Sequence, residues 1–219
     1  MATMPSSLPG GQSAAHAWFQ TPAGRAVIDA QASPVAEALR QRPGQHWLWL
    51  GPGAAAGPED ARGLRLAVAE GGWQGDIACS LPLPLPNDSF ATAVLQHAVP
   101  AVGEADALLA EVARILVPGG RVWMFVLNPL SPYRWRWRGT GLSAAEPLTW
   151  RRRLRRHGLV PDPVSQGVGP SWRVEATSPP QHGPGLRAAY LLQAEKRELP
   201  LTPLRQRAGL RLPQGVPAA

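Results

Sequence analysis

The chain has 219 residues, 44% of them hydrophobic, a length that suits one domain with a substantial core. Its single cysteine, Cys79, excludes an internal disulfide framework, and no apolar run approaches a membrane span or a leader h-region, so the cytoplasm is the expected compartment. The net charge of +7 rests on arginine, since Lys196 is the only lysine. It fits a polyanionic partner and, equally, the compositional bias of a chain rich in Ala, Pro, Gly and Arg.

Residues 1–15 are rich in Pro, Ser and Gly and are expected to be disordered. Residues 16–198 are expected to form one domain, and 199–219 a mobile tail. Thr21-Pro22 is an N-cap followed by proline at the first helical position, opening a helix through Val27 and Ile28. A second helical piece covers about residues 35–40. Trp18 and Phe19 precede the first helix as packing residues.

Residues 47–50 (WLWL) read as the first core strand and run straight into Gly51-Pro52-Gly53-Ala54-Ala55-Ala56-Gly57. A glycine turn behind an apolar strand lets the backbone approach a nucleotide that side chains would keep away. Alone the Gly-x-Gly is weak evidence, and its position strengthens it. Residues 64–68 (LRLAV) form the next strand, ending at Glu70. That acid follows Gly51 by 19 positions (70 − 51), the spacing at which a carboxylate meets ribose hydroxyls.

Residues 83–129 read as a β-α-β unit. Residues 91–95 are a buried strand behind the turn residues Pro86, Asn87, Asp88 and Ser89. In the helix, Leu108, Leu109, Val112, Ile115 and Leu116 share one face at a period near 3.6. Glu104 and Asp106 lie in its first turn and Arg114 near its end, as the helix dipole favours. Pro118, Gly119 and Gly120 stop it, and the nearly continuous apolar run 121–127 is a parallel strand covered on both faces. Gln96 and His97 sit at the carboxyl end of the strand 91–95, where an α/β sheet binds its ligand. His97 is therefore the general-base candidate among the five histidines, with a packing role equally open.

Residues 132–139 (PYRWRWRG) interleave Tyr133, Trp135 and Trp137 with Arg134, Arg136 and Arg138. Arginine pairs with phosphate while indole stacks on bases or seats at a lipid interface. The bland alternative packs the tryptophans and leaves the arginines solvated. Thr149 is the expected cap of a helix carrying Arg151, Arg152, Arg153, Arg155 and Arg156, closed by Gly158. Residues 159–160 begin an edge strand, and 190–194 supply the last strand. The histidines show no metal-ligand spacing.

LPLPNDSF (83–90), LLAEVARILVPGG (108–120) and the apolar strand that follows resemble the second half of a class I S-adenosylmethionine-dependent methyltransferase of the ubiquinone-type variety. Asn128-Pro129-Leu130-Ser131 and YLLQAEKRELPLTPLR (190–205) look like a narrower bacterial branch. The resemblance spans about residues 18–205. It implies a Rossmann-like α/β fold: a mostly parallel seven-stranded sheet, an antiparallel last strand and helices on both faces. It implies S-adenosyl-L-methionine as cofactor, held by Gly51, Gly53, Ala55, Glu70 and Gln96, and by Asp76 or Cys79 at the adenine. His97 and Asn128 would then face the methyl acceptor. The chain departs from the family pattern at Trp49 (usually acidic), Ala55 (usually glycine), Cys79 (usually aspartate) and Ala91 (usually aspartate). Two functions follow as expectations. One is methyl transfer to an acceptor of undetermined class. The other is a non-catalytic descendant that binds RNA, protein or a membrane face through Arg134, Arg136, Arg138, Arg151, Arg152 and Arg155.

Overall fold

The computed structural model describes residues 17–53, 62–69, 72–99, 105–174 and 181–197. The expectations for residues 1–15, Ala55, Glu70, Glu104 and 199–219 lie outside them. Among the described residues nine strands form one mixed sheet: β1 (Trp47–Gly51), β2 (Gly63–Ala69), β3 (Gly72–Gly75), β4 (Phe90–Gln96), β5 (Leu116–Leu127), β6 (Leu159–Pro161), β7 (Gln166–Val168), β8 (Gln181–His182) and β9 (Ala189–Lys196). The order is β3-β2-β1-β4-β5-β9-β7-β8, with β6 also on β9. Strands β2, β1, β4 and β5 are mutually parallel, and β9 runs antiparallel to β5.

The described residues form nine strands where seven were expected, and the reasons are local. At one edge β3 pairs back antiparallel on β2 instead of crossing over. At the other edge the pairing on β9 is divided between the short strands β6 and β7.

Among the described residues four helices cover the sheet: α1 (Pro22–Asp29), α2 (Ala32–Arg40), α3 (Ala105–Ile115) and α4 (Pro147–Arg156). The period-2 alternation of the strands sends side chains to two separate cores. Leu48, Leu50, Val122, Met124, Val126, Tyr190 and Leu192 pack with α3 and α4. Trp47, Trp49, Val94, Trp123, Phe125, Leu127 and Leu191 pack with α1, α2 and a 3-10 turn at Trp18–Gln20. This is why the central strands read as largely apolar runs.

The Thr21 hydroxyl accepts from the Gly24 N–H at 3.2 Å, and Pro22 begins α1 as expected. Helix α4 starts two residues before the expected cap Thr149. Pro147 supplies the preset φ of a first helical residue, and Glu146 before it is extended. Strand β5 also starts early, because Leu116 already pairs with Phe90. The register then shifts, so Pro118-Gly119-Gly120 forms a bulge inside the strand, with Gly119 at φ +74°.

Much of the recognisable motif is a clasp. Arg114 donates to the carbonyls of Leu83 and Leu85 and to Asn87 Oδ1, at 2.9, 2.7 and 2.7 Å. It also grips Glu111 bidentately, and Glu111 accepts from the Leu83 N–H at 2.8 Å. One ion pair on α3 thus fixes the proline-rich loop before β4. Among the described residues, no helix is long and apolar enough to cross a membrane.

Candidate functional site

A cavity of about 460 Å³ opens at the carboxyl ends of β1 and β4, under the 3-10 turn and α1–α2. This is the crevice where ligands of open α/β sheets bind, and its volume lies within the roughly 300–1,000 Å³ of small-molecule sites. Phe19, Ile28, Val35 and Trp49 form apolar walls, with Pro52 and Gly53 at the strand end. Gln20, Arg25, Asp29 and Gln96 bring polar groups. Arg25 and Asp29 stand one turn apart on α1 and present both signs of charge to the opening.

The inner wall is built from a directed hydrogen-bond relay. Trp49 Nε1–H donates to Gln96 Oε1 at 3.1 Å, and Gln96 Nε2 donates to Gln31 Oε1 at 3.0 Å. Gln31 Nε2 then lies 2.9 Å from His97 Nε2. An indole N–H can only donate. It therefore fixes the orientation of both amides, and His97 Nε2 must be the acceptor, with the ring proton on Nδ1. All four side chains are buried. His97 also stacks on Phe19, centroids 4.7 Å apart, and its backbone is left-handed at φ +52°. Such a conformation in a non-glycine residue is uncommon, and persists where surroundings over-determine it.

The structure thus gathers Gly53, Gln96 and Trp49 at the cavity and places His97 directly behind its wall. Gly51 ends β1 there, and its lack of a side chain serves Trp49: an added Cβ would stand 2.1 Å from that indole. Asp76 lies elsewhere. Its carboxylate accepts from the Arg65 N–H at 2.7 Å, near the amino end of β2, because the β2–β3 hairpin carries the chain back to that end. Cys79 bridges Trp73 beyond the edge strand and packs with the core under α3 and α4, where burial pushes its thiol up. Neither residue lines the cavity.

Asn128, expected to face an acceptor, spends its amide on the backbone. It donates to the Gly185 and Arg187 carbonyls at 2.9 and 3.0 Å and accepts from the Leu130 N–H at 3.1 Å. It builds the loops after β5 and before β9. Tyr133 and Trp137 are buried against Trp18 and α1, while Trp135 and the arginines between them point outward. Arg151, Arg152 and Arg155 belong to α4 on the other face of the sheet, so the two arginine groups form no single surface. Sequence reasoning missed Gln31, Arg25 and Asp29. Their only signal is a polar residue on or beside an otherwise amphipathic helix, which a solvated face would also give.

The chain matches no family model and no curated protein. Among solved structures it is similar to an S-adenosylmethionine-dependent methyltransferase of Thermotoga maritima, with 15% identity, a TM-score of 0.56, and coverage of 83% of this chain and 94% of that one. It is similar to the 1,6-didemethyltoxoflavin-N1-methyltransferase of Burkholderia thailandensis, solved with 1,6-didemethyltoxoflavin and S-adenosylhomocysteine, at 16% identity and a TM-score of 0.51, covering 90% and 94%. It is also similar to the [4+2]-cyclase SpnF, at 16% identity and a TM-score of 0.54, covering 77% and 80%. The fold is that of the class I S-adenosylmethionine-dependent methyltransferases.

Proposed function

We propose that the protein is an S-adenosylmethionine-dependent methyltransferase that works in the cytoplasm, with its cofactor in the cavity beneath α1 and α2. The observation that carries this reading is the position of that cavity: at the carboxyl ends of β1 and β4, roofed by the leading helices, in a fold whose solved examples include methyltransferases. When bound, S-adenosylmethionine supplies an electrophilic methyl group on a sulfonium centre.

On this reading the chain supplies binding and exclusion of water. Pro52 and Gly53 let backbone approach the ligand, with Gly51 and Ala55 assigned to the same cofactor motif and Glu70 to the ribose hydroxyls. Arg25 and Asp29 have signs that suit the carboxylate and ammonium of an amino acid. Phe19, Ile28 and Val35 form a dry lid, and Gln96 presents its edge to the cavity while the relay holds it in one orientation. His97 acts as a positioning residue behind Phe19, because its Nε2 already accepts from Gln31. Rate enhancement then comes mainly from alignment of acceptor and methyl group.

Calorimetric titration with S-adenosylmethionine and S-adenosylhomocysteine tests this. Micromolar binding, weakened roughly tenfold or more by Glu70→Ala, is the expected result. A folded protein that gives no heat up to millimolar ligand would sink it. One observation favours a second reading, a non-catalytic or differently catalytic protein on this fold. Trp49 holds the place of the usual acid and closes the wall with its indole, and the cyclase neighbour has a printed activity other than methyl transfer.

A further inference from the structure

We infer that the loops at the carboxyl end of β5 form a docking surface for a bilayer carrying anionic headgroups. Leu127, Ala189 and Val168 lie side by side in register. Three loops therefore leave the sheet at one place: the one after β5, the one after β7 and the one before β9. They are tied to each other. Asn128 N–H donates to the Ala188 carbonyl at 2.9 Å, Ser131 Oγ to the Leu186 carbonyl at 2.8 Å, and Ala188 N–H to the Pro170 carbonyl at 2.7 Å.

From this tied group project Leu130 (66% exposed), Leu186 (60%), Trp135 (68%) and Trp172 (69%). A single exposed apolar side chain needs no explanation, but four large ones on three joined loops do. Arg134, Arg136, Arg138 and Arg173 are exposed on the same loops, and the Arg138 guanidinium stands 5.0 Å over the Trp135 ring. Residues 128–145, 169–174 and 181–188 contain no aspartate or glutamate, and Glu146 and Glu175 directly follow the first two stretches.

The combination selects the partner by chemistry. Indole seats at the headgroup level, leucine enters the acyl region, and arginine meets lipid phosphate. Nucleic acid would use the arginines and tryptophans but gains nothing from leucines at the loop crests. A neutral protein surface would not account for four exposed arginines grouped on these loops. The net charge of +7 has the sign that an anionic membrane attracts. The surface belongs to the carboxyl end of the sheet, the end at which the cavity opens, so a membrane-borne molecule would reach that opening without crossing open water. The inference stands on the loops alone and needs neither cofactor nor methyl transfer.

Co-sedimentation of the full chain with vesicles tests it. Vesicles of phosphatidylcholine with about one-third phosphatidylglycerol should bind at least roughly tenfold more tightly than pure phosphatidylcholine, and added salt should weaken that binding. The Leu130→Ser/Leu186→Ser double variant, and separately Trp135→Ser, should each lose about tenfold while their thermal unfolding stays that of the wild type. The single tryptophan variant decides the matter if the double variant is unstable. Failure to sediment with anionic vesicles overturns the inference. So does vesicle binding that survives all three substitutions. Salt-sensitive binding to single-stranded RNA without vesicle binding overturns it in favour of nucleic acid.

Discussion

Replacing Trp49 by phenylalanine keeps a ring in the wall and removes one hydrogen atom from the relay. Gln96 Oε1 then has no donor, and both amides lose the constraint that orients them. A buried acceptor left unmet costs about 1–3 kcal/mol, which urea denaturation of Trp49→Phe should show. Gly51→Ala should cost a similar ~1–3 kcal/mol by overpacking, because its Cβ would collide with the indole. Most of that cost should vanish when Trp49 is already leucine. A double-mutant cycle measures the coupling, and additive effects would show that Gly51 serves something other than the indole. At this scale the sequence was partly misleading. Gly51 looked like a backbone held clear for a ligand, and Trp49 like a lost acid, yet each explains the other. Gln31 was invisible for a different reason. It lies between two helices and meets His97 across 66 positions, a distance over which no periodicity reports. Asp76 sat near the right place in the chain and at the wrong end of the sheet, because one hairpin reversed the strand that carried it.

Helix α3 shows how an element can be legible in outline while its chemistry is not. Its apolar face follows directly from the 3.6 period, and Leu108, Leu109, Val112 and Ile115 are all buried. The Glu111–Arg114 pair would pass in sequence for an ordinary exposed i,i+3 pair worth little. In the fold it holds the 83–87 loop by four contacts to Leu83, Leu85 and Asn87. Its hydrogen bonds from Arg114, with the Leu83 N–H adding to them, hold the Glu111 carboxyl below its usual range against the opposing effect of burial. A lowered folded value stabilises the protein above the unfolded value of about 4.3 and ceases to do so as pH falls through the folded one. Glu111→Gln should therefore be less stable than wild type at neutral pH and should lose less on acidification below about pH 4. Denaturant midpoints at several pH values check both signs. Equal acid sensitivity in the two proteins would remove the clasp from the account. Arg114→Ala should cost more than Glu111→Gln, since it releases three loop acceptors at once. Helix α4 teaches the same lesson at its start: a threonine looked like the cap, but a proline two residues earlier decides where a helix can begin.

The whole sheet is organised about a strand that arrives late. Strand β9 lies between β5 and β7, pairs with β6 as well, and contributes Tyr190, Leu191 and Leu192 to both cores. A chain shortened to end before Ala189 should fail to fold cooperatively, giving no sharp thermal transition and exposed apolar surface that binds a hydrophobic dye. The strand WLWL, the strands of the β-α-β unit and the last strand were readable because each is a largely apolar run of strand length between turn residues. The antiparallel β3 and the short strands β7 and β8 were not. Their residues, GWQG, QGV and QH, carry no alternation, and only pairing with a neighbour makes them strands.

The position of β9 also bears on how the protein is made. Synthesis runs from the amino end, so β1, β2, β4 and β5 leave the ribosome well before their neighbour. Through that interval β5 presents an apolar edge of unpaired N–H and C=O groups, an open template for any other strand. The nascent chain should therefore depend on chaperone cover until about residue 196 has emerged, and a pause in translation between β5 and β9 should lower the soluble yield more than an equal pause before β4.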